Sequence, residues 1–506
     1  MTSAATPPTR ATADHTYFSY TKSLCAQCKQ PVDAKIVFRD EAVWFDKFCP
    51  DHGKQHVRVA SSIEWYLDAL SFVAPNTPPK RVLKEVSAQG CPFDCGPCSS
   101  HQQKVYLPVV PITSACNLDC PICYTVNKNE GAHQLSREAM QKILDHLLAD
   151  HVELDIINFT GGEPTLHPEL PELLEMCRAA GIRRLTISTN GLKLLDESYV
   201  RRLAALDARI VLSLDTFDPA TDKVMLGADT VKAKLKVLDL LEAHDVATTL
   251  LPAVAAGLND HEIPKLFDLM IAKPHIKSLE LHTLTFTGQG GVGFERSARI
   301  TIPDLHRRIE EATAGRVTGK DFVPSPLAHP HCYSICYLLV LDDGRYVPYA
   351  RLMSRQKLFE LLQDSLYIEP RETLEAVFRD MIDELWANPD KVPESEAVLA
   401  TLKRLVKDLF PTNGRTLSIL ERQKIAERSS KAIYIHSHMD EENFDVARVM
   451  KCCVGVPEVD GSNIPTCSYN VLYREKDARF ADNGMLERMR ALRPRPAQPH
   501  QEASRS

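Results

Sequence analysis

Cys116-Asn-Leu-Asp-Cys120-Pro-Ile-Cys123 places three thiols in one short loop. Three thiolates spaced this closely can ligate three irons of a cubane and leave the fourth iron open to a substrate. A zinc knuckle explains any Cys-x2-Cys pair, but three ligands spaced x3 and x2 suit zinc less well than paired knuckles do. Paired knuckles occur elsewhere in the chain. Cys25, Cys28, Cys49 and His52 form a Cys-x2-Cys…Cys-x2-His set, fit for a tetrahedral zinc or a rubredoxin-like mononuclear iron. Such a site staples a segment too small to fold on its own core, with electron relay as the alternative role.

Cys91-Pro-Phe-Asp-Cys95-Gly-Pro-Cys98 repeats the x3, x2 spacing upstream and needs one more ligand to close a cluster. His101 is near in sequence, and a distant cysteine would serve as well. Cys177, in ELLEMCRAAG, sits at helical spacing from Leu173 and Leu174 and is expected to face the core with them. Of the 15 cysteines, this leaves Cys91, Cys95, Cys98, Cys332, Cys336, Cys452, Cys453 and Cys467. They suffice for two auxiliary [4Fe-4S] clusters with four cysteine ligands each, the pairing being open.

The elements that must position these groups are legible from Val105 to about Gly290. Short apolar runs (VYLPVVPIT, DIINFT, RLTIST, RIVLSLD) alternate there with helical patterns such as REAMQKILDHLLADH and KAKLKVLDLLEAHD. Sustained alternation implies an α/β fold with a parallel sheet. The count of strand-helix units is six at most, so the expectation is a partial (β/α)6 TIM-like barrel rather than a complete one of eight. The Cys116 loop follows the first strand, at the carboxyl end where such sheets carry their sites.

The organisation expected around that barrel is a disordered tail at 1–18, a rubredoxin-like or zinc module at 19–60, and a linker with the Cys91 motif at 61–104. The barrel spans 105–290 and a Cys/His-bearing extension 291–354. A helical region at 355–440, a Cys-rich segment at 441–478 and a mostly disordered tail at 479–506 complete the chain. Asp343-Gly344 in LLVLDDGRYVPY marks a hairpin, and the final Cys-rich segment reads as two strands about a turn.

The loop resembles that of the radical S-adenosylmethionine (SAM) family, in which Cys-x3-Cys-x-Φ-Cys follows the first strand. Ile122 takes the usually aromatic Φ slot and keeps an apolar contact for adenine. Gly161-Gly162-Glu163-Pro164, after DIINFT, is similar to the family's GGEP motif that holds the amino group of SAM. Glycine permits close approach of backbone, and Glu163 offers an acceptor to an ammonium. The resemblance extends to Ser188, Thr189 and Asn190 after RLTI, and to Ser213 and Asp215 in VLSLD, where ribose and carboxylate would lie. Taken singly, each is better explained as a cap or turn residue.

Beyond the barrel, the CPDHG of the N-terminal module, CPFDCGPCSSH, HPHC at 329 to 332, and CC…IPTCSYN resemble the tetraether lipid synthases and their bacterial relatives. That resemblance implies reductive cleavage of SAM, hydrogen abstraction from an unactivated methyl group, and coupling of two lipid chain ends by an sp3 C–C bond. It also implies that an auxiliary cluster holds the first carbon radical, and that a flavodoxin or ferredoxin-type donor supplies electrons. The same family has been read as pterin-precursor methyltransferases acting on 7,8-dihydro-6-hydroxymethylpterin, an alternative the residues leave open. A non-catalytic electron carrier is a third alternative, against which GGEP argues.

A net charge of -7 gives no long-range attraction for phosphate backbones, so no nucleic-acid partner is expected. No apolar run reaches the length of a membrane span, and the first residues lack a secretory pattern. The expected location is the cytoplasm, with peripheral membrane contact if the substrate is a lipid.

Overall fold

The N-terminal segment alternates buried and exposed residues and folds as an antiparallel sheet in the order β1 (Thr16–Leu24), β2 (Pro31–Arg39), β3 (Ala42–Cys49), β4 (Gly53–Ala60). Ala34, Ile36, Val43 and Phe45 form its small core with Ala60 and Tyr66. The structure, a computed structural model, describes residues 14–81, 89–96, 98–150, 153–412 and 415–481. The first strand thus starts within the stretch expected to be a tail, while 1–13 and 482–506 lie outside the described residues.

A second sheet is built on parallel strands β5 (Leu107–Thr113), β6 (Ile156–Gly161), β7 (Arg184–Thr189), β8 (Ala208–Leu212), β9 (Thr248–Leu250), β10 (Ala253–Val254) and β11 (Ile276–Thr283). Helices such as Arg137–Asp150, Leu170–Ala179 and Val231–Ala243 return between them. Later strands join both flanks: β12 (Val323–Pro324), β13 (Tyr333–Val340), β14 (Tyr346–Pro348), β15 (Ser430–His436), β16 (Val454–Pro457) and β17 (Asn463–Pro465). The path runs β12-β13-β15-β11-β9-β8-β7-β6-β5-β16-β17, so the sheet curls without closing.

One boundary differs from the sequence reading: residues 430–436 are not the end of the helical block but a strand parallel to β11. The two strands about a turn expected in the Cys-rich segment are present as β16 and β17, and β16 also pairs in parallel with β5. SKAIYIH is a short apolar run, and periodicity alone cannot separate a fully buried strand from a piece of buried helix. The expected hairpin is present: β13 pairs with β14 across a turn in which Gly344 adopts φ +83°.

Register explains which side chains see the interior. Cys336 pairs with Ile433, which pairs with Leu279, which pairs with Leu250. This row faces outward into the layer of helices and is fully buried there. The alternate row, including Asn158, Ser188, Tyr333 and His436, faces the barrel interior. At the amino ends of the strands, helices Glu372–Ala387 and Ser395–Leu409 pack Leu374, Phe378, Leu405 and Leu409 into one core with Ile335 and Tyr337.

Candidate active site at the mouth of the barrel

The chain leaving β5 carries Cys116, Cys120 and Cys123, all free thiols. The Asn129 side chain accepts from Cys116 N (2.8 Å), Met225 O accepts from Ile122 N (3.0 Å), and Cys123 O accepts from Gly290 N (2.8 Å). A Cβ at Gly288, whose φ is +58°, would fall 2.5 Å from the Tyr124 carbonyl carbon. Gly288, Gly290 and Gly293 therefore let a second backbone pack against the cysteine loop at Tyr124, Ile122 and Pro121. The sequence reading missed this packing, although the glycine spacing in TGQGGVG was a visible signal of close backbone approach.

GGEP lies directly beside that loop. Thr113 O accepts from Gly162 N (2.8 Å) and Ala115 O accepts from Glu163 N (2.7 Å). A Cβ on Gly161 or Gly162 would overlap the carbonyls of Thr113 or Ala115. Glu163 is buried. Its Oε1 accepts from Thr165 N (3.0 Å), Thr165 Oγ1 (2.6 Å) and Thr189 Oγ1 (2.7 Å), whereas Oε2 accepts only from Asn190 N (2.8 Å). Oε1 is committed to holding the motif, and the remaining acceptor capacity is on Oε2. Burial pushes this carboxyl up, and the four hydrogen bonds oppose the shift. Pro164 starts the short turn that Glu163 caps.

The other expected SAM contacts line the same cavity. Ser188 Oγ donates to Asn158 Oδ1 (3.1 Å), Asn190 Nδ2 to Asn117 Oδ1 (2.7 Å) and Ser213 Oγ to Thr189 O (3.4 Å). Asp215 Oδ1 accepts from Ala253 N (2.8 Å), while Oδ2 has no hydrogen bond and faces buried Lys234 at 3.9 Å.

The residues fit a cubane. Among the described residues, Cys116, Cys120 and Cys123 are not drawn within 4.8 Å of one another as a mononuclear set would be, and thiolates on separate irons stand further apart. Burial pushes the Cys116 thiol up to about 11, so ligation must displace its proton.

In the N-terminal sheet, Cys25, Cys28, Cys49 and His52 do converge within 4.8 Å. Cys25 Sγ and Cys49 Sγ lie 3.6 and 3.5 Å from His52 Nδ1. Burial raises the Cys25 thiol, but the amides of Cys28 and Gln27 and the Gln55 side chain outweigh it and bring it down to about 6. This donor set suits one tetrahedral ion.

Residues 110–270 match the radical SAM superfamily and residues 17–61 match the HMPTM N-terminal zinc ribbon domain. The chain is a radical SAM enzyme. Its curated relatives include the 7,8-dihydro-6-hydroxymethylpterin dimethyltransferase of Methanocaldococcus jannaschii, 28% identical over 492 residues, covering 90% of this chain and 94% of that protein. The GTP 3',8-cyclase of Chlorobaculum tepidum is 32% identical over 212 residues, 40% of this chain and 63% of that protein. Among solved structures, Streptococcus suis SuiB bound to S-adenosylmethionine aligns at a TM-score of 0.34 and 21% identity, over 42% of this chain and 47% of that one.

This radical SAM enzyme gathers the remaining thiols unevenly. Cys332, Cys452, Cys453 and Cys467 line one small buried space, where Arg448 Nε donates to Cys332 Sγ (3.3 Å). Cys91, Cys95 and Cys98 lie close together, burial and the two neighbouring thiols raising Cys91 to about 12. Cys336 joins neither group. Strand alternation after Cys332 turns it outward among Leu338, Leu279 and Ile433, so the arithmetic of four plus four fails and the sets are three and four. His101 points its Nε2 to Cys452 O (3.0 Å). Cys177 is buried in the helix-sheet core, as expected.

The cavity of the radical SAM enzyme holds about 400 Å³, within the usual range of ligand sites. It extends from the cysteine loop through the barrel interior to Leu374, Phe378, Leu405 and Leu409 of the helical block. Its lining mixes apolar side chains, among them Leu107, Val109, Val454, Ile335, Leu366 and Ile368, with polar and charged ones, among them Asn158, Ser188, Glu280, Arg184, Arg209 and Lys277. Near the mouth lie His282, His436 and His438, which the sequence reading did not single out. Burial drives His436 and His438 well below the usual imidazole range.

Proposed function

We propose that this radical SAM enzyme abstracts hydrogen from unactivated carbon of alkyl chains and couples two lipid chain ends by an sp3 C–C bond. The observation that carries the reading is the cavity, whose apolar lining residues include Ile122 in the cysteine loop, Leu107, Val109 and Ile335 on the strands, and Leu374, Phe378, Leu405 and Leu409 of the helical pair. A chain threaded past them would bring its terminal carbon to the mouth, held where water is excluded. Cys116, Cys120 and Cys123 would hold a [4Fe-4S] cluster, which would supply the electron for reductive cleavage of SAM to methionine and a 5′-deoxyadenosyl radical.

The chain's own residues place the SAM. Glu163 Oε2 accepts from its ammonium, Ile122 covers the adenine, and Ser188, Asn190, Ser213 and Asp215 meet ribose and carboxylate. The four thiols at Cys332, Cys452, Cys453 and Cys467 would hold an auxiliary [4Fe-4S] cluster, and the three at Cys91, Cys95 and Cys98 would hold another. The ribbon holds zinc or a mononuclear iron, and a flavodoxin or ferredoxin-type protein is the reductant.

A second reading, methylation of a pterin precursor, is favoured by the likeness to the Methanocaldococcus dimethyltransferase over 90% of the chain and by polar lining residues such as Asn158, Thr186, Ser278 and Glu280, which would pair with a polar bicycle. Mass analysis of products separates the readings. Incubation with SAM, dithionite and diacyl or dialkyl lipid is expected to yield a coupled lipid, lighter than its parents by the two hydrogens removed, with a 5′-deoxyadenosine for each. A methylated pterin and unchanged lipid would overturn the coupling reading.

A further inference from the structure

The three histidines near the cavity mouth form a set of their own. His282 ends β11, His436 ends β15, and His438 follows two residues later, so parallel pairing of these strands brings together residues far apart in sequence. The ligand atoms of all three lie within 4.8 Å of one another. Ring centroids are 3.9 Å apart for His436 and His438, 5.0 Å for His282 and His438, and 5.2 Å for His282 and His436. Among the described residues no hydrogen bond links the three rings.

Each ring has a partner beyond the set. Glu280 Oε1 lies 2.8 Å from His282 Nε2, leaving Nδ1 free to ligate. Cys467 Sγ lies 3.7 Å from His438 Nδ1, leaving Nε2 free to ligate. Tyr333 stacks on His436 at 3.9 Å between centroids. A carboxylate that orients a histidine through its outer nitrogen is the arrangement by which proteins prepare imidazole for a metal.

The geometry points to a mononuclear metal site at His282, His436 and His438, taking a divalent first-row cation, with a ligand set distinct from the ribbon's and adjoining Cys467. Imidazoles without thiolate in the set suit Zn2+, Fe2+ or Co2+ rather than an iron-sulfur cluster. Three protein ligands leave a position open toward the cavity, where an oxygen or nitrogen of the substrate can bind. The site would bind an oxygen or nitrogen of a polar substrate beside the carbon to be activated, an atom that a pterin supplies and an alkyl chain end does not.

Cobalt is the probe. Anaerobic holoprotein with its clusters intact and its ribbon filled with zinc is titrated with Co2+ and followed by visible absorption. The expected result is a single saturable equivalent with d–d bands of a nitrogen-rich site and no thiolate-to-cobalt charge transfer. His436→Ala should weaken it at least tenfold, and Glu280→Gln by about ten- to a hundredfold, each with unchanged iron-sulfur absorption. Glu280→Gln leaves all three ligands in place and carries the test if His436→Ala does not fold. Absence of the bands, an unchanged titration in Glu280→Gln and His436→Ala, or loss of the signal in Cys25→Ser would overturn the proposal.

Discussion

Tyr124, the residue after Cys123, stacks on His438 with ring centroids 5.3 Å apart and planes 18° from parallel. The cysteine loop and the histidine set are thereby held as one surface. Replacing Tyr124 with Leu is expected to cost about 1 kcal/mol, read as a fall of about 2 °C in thermal midpoint, whereas Tyr124→Phe should leave it unchanged.

Gly162→Ala tests the close approach of GGEP to the cysteine loop. The added Cβ would meet backbone, not a side chain that can swing away. Dithionite-driven 5′-deoxyadenosine formation should fall by about 100-fold or more, since misplacement by roughly 1 Å is enough for that. The ribbon metal, measured on the same sample, should remain.

Cys120→Ala and Cys25→Ala should separate the two metal chemistries. The first is expected to abolish SAM cleavage and keep the ribbon ion; the second to lose that ion and lower solubility while iron at the barrel mouth persists. Metal analysis beside a cleavage assay reads both.

Cys336→Ala should retain the full iron content and cost only about 1 kcal/mol for a small cavity in the outer core. Cys453→Ala, by contrast, should lower iron by about one cluster, counted by iron and sulfide analysis. Equal iron losses in both variants would contradict the register that turns Cys336 outward.

What was legible in the sequence was local. The cysteine loop, GGEP and the ribbon knuckles are contiguous motifs whose ligands need only a turn to meet. The histidine set was not legible, because His282 and His436 become neighbours only when β15 inserts beside β11. Cys336 misled for a related reason: HPHCYSIC looks like one ligand loop, but β13 begins at Tyr333 and alternation then decides which side chain faces the interior. The run SKAIYIH was absorbed into a helical block because a buried strand lacks a polar face to reveal its period.

Deuterium tests the central claim most directly. A lipid perdeuterated at its chain ends, incubated with the reduced enzyme and SAM, should transfer deuterium into 5′-deoxyadenosine and appear as a coupled product. Formation of 5′-deoxyadenosine without deuterium, in an assay where the lipid is returned unchanged, would contradict hydrogen abstraction from an alkyl chain.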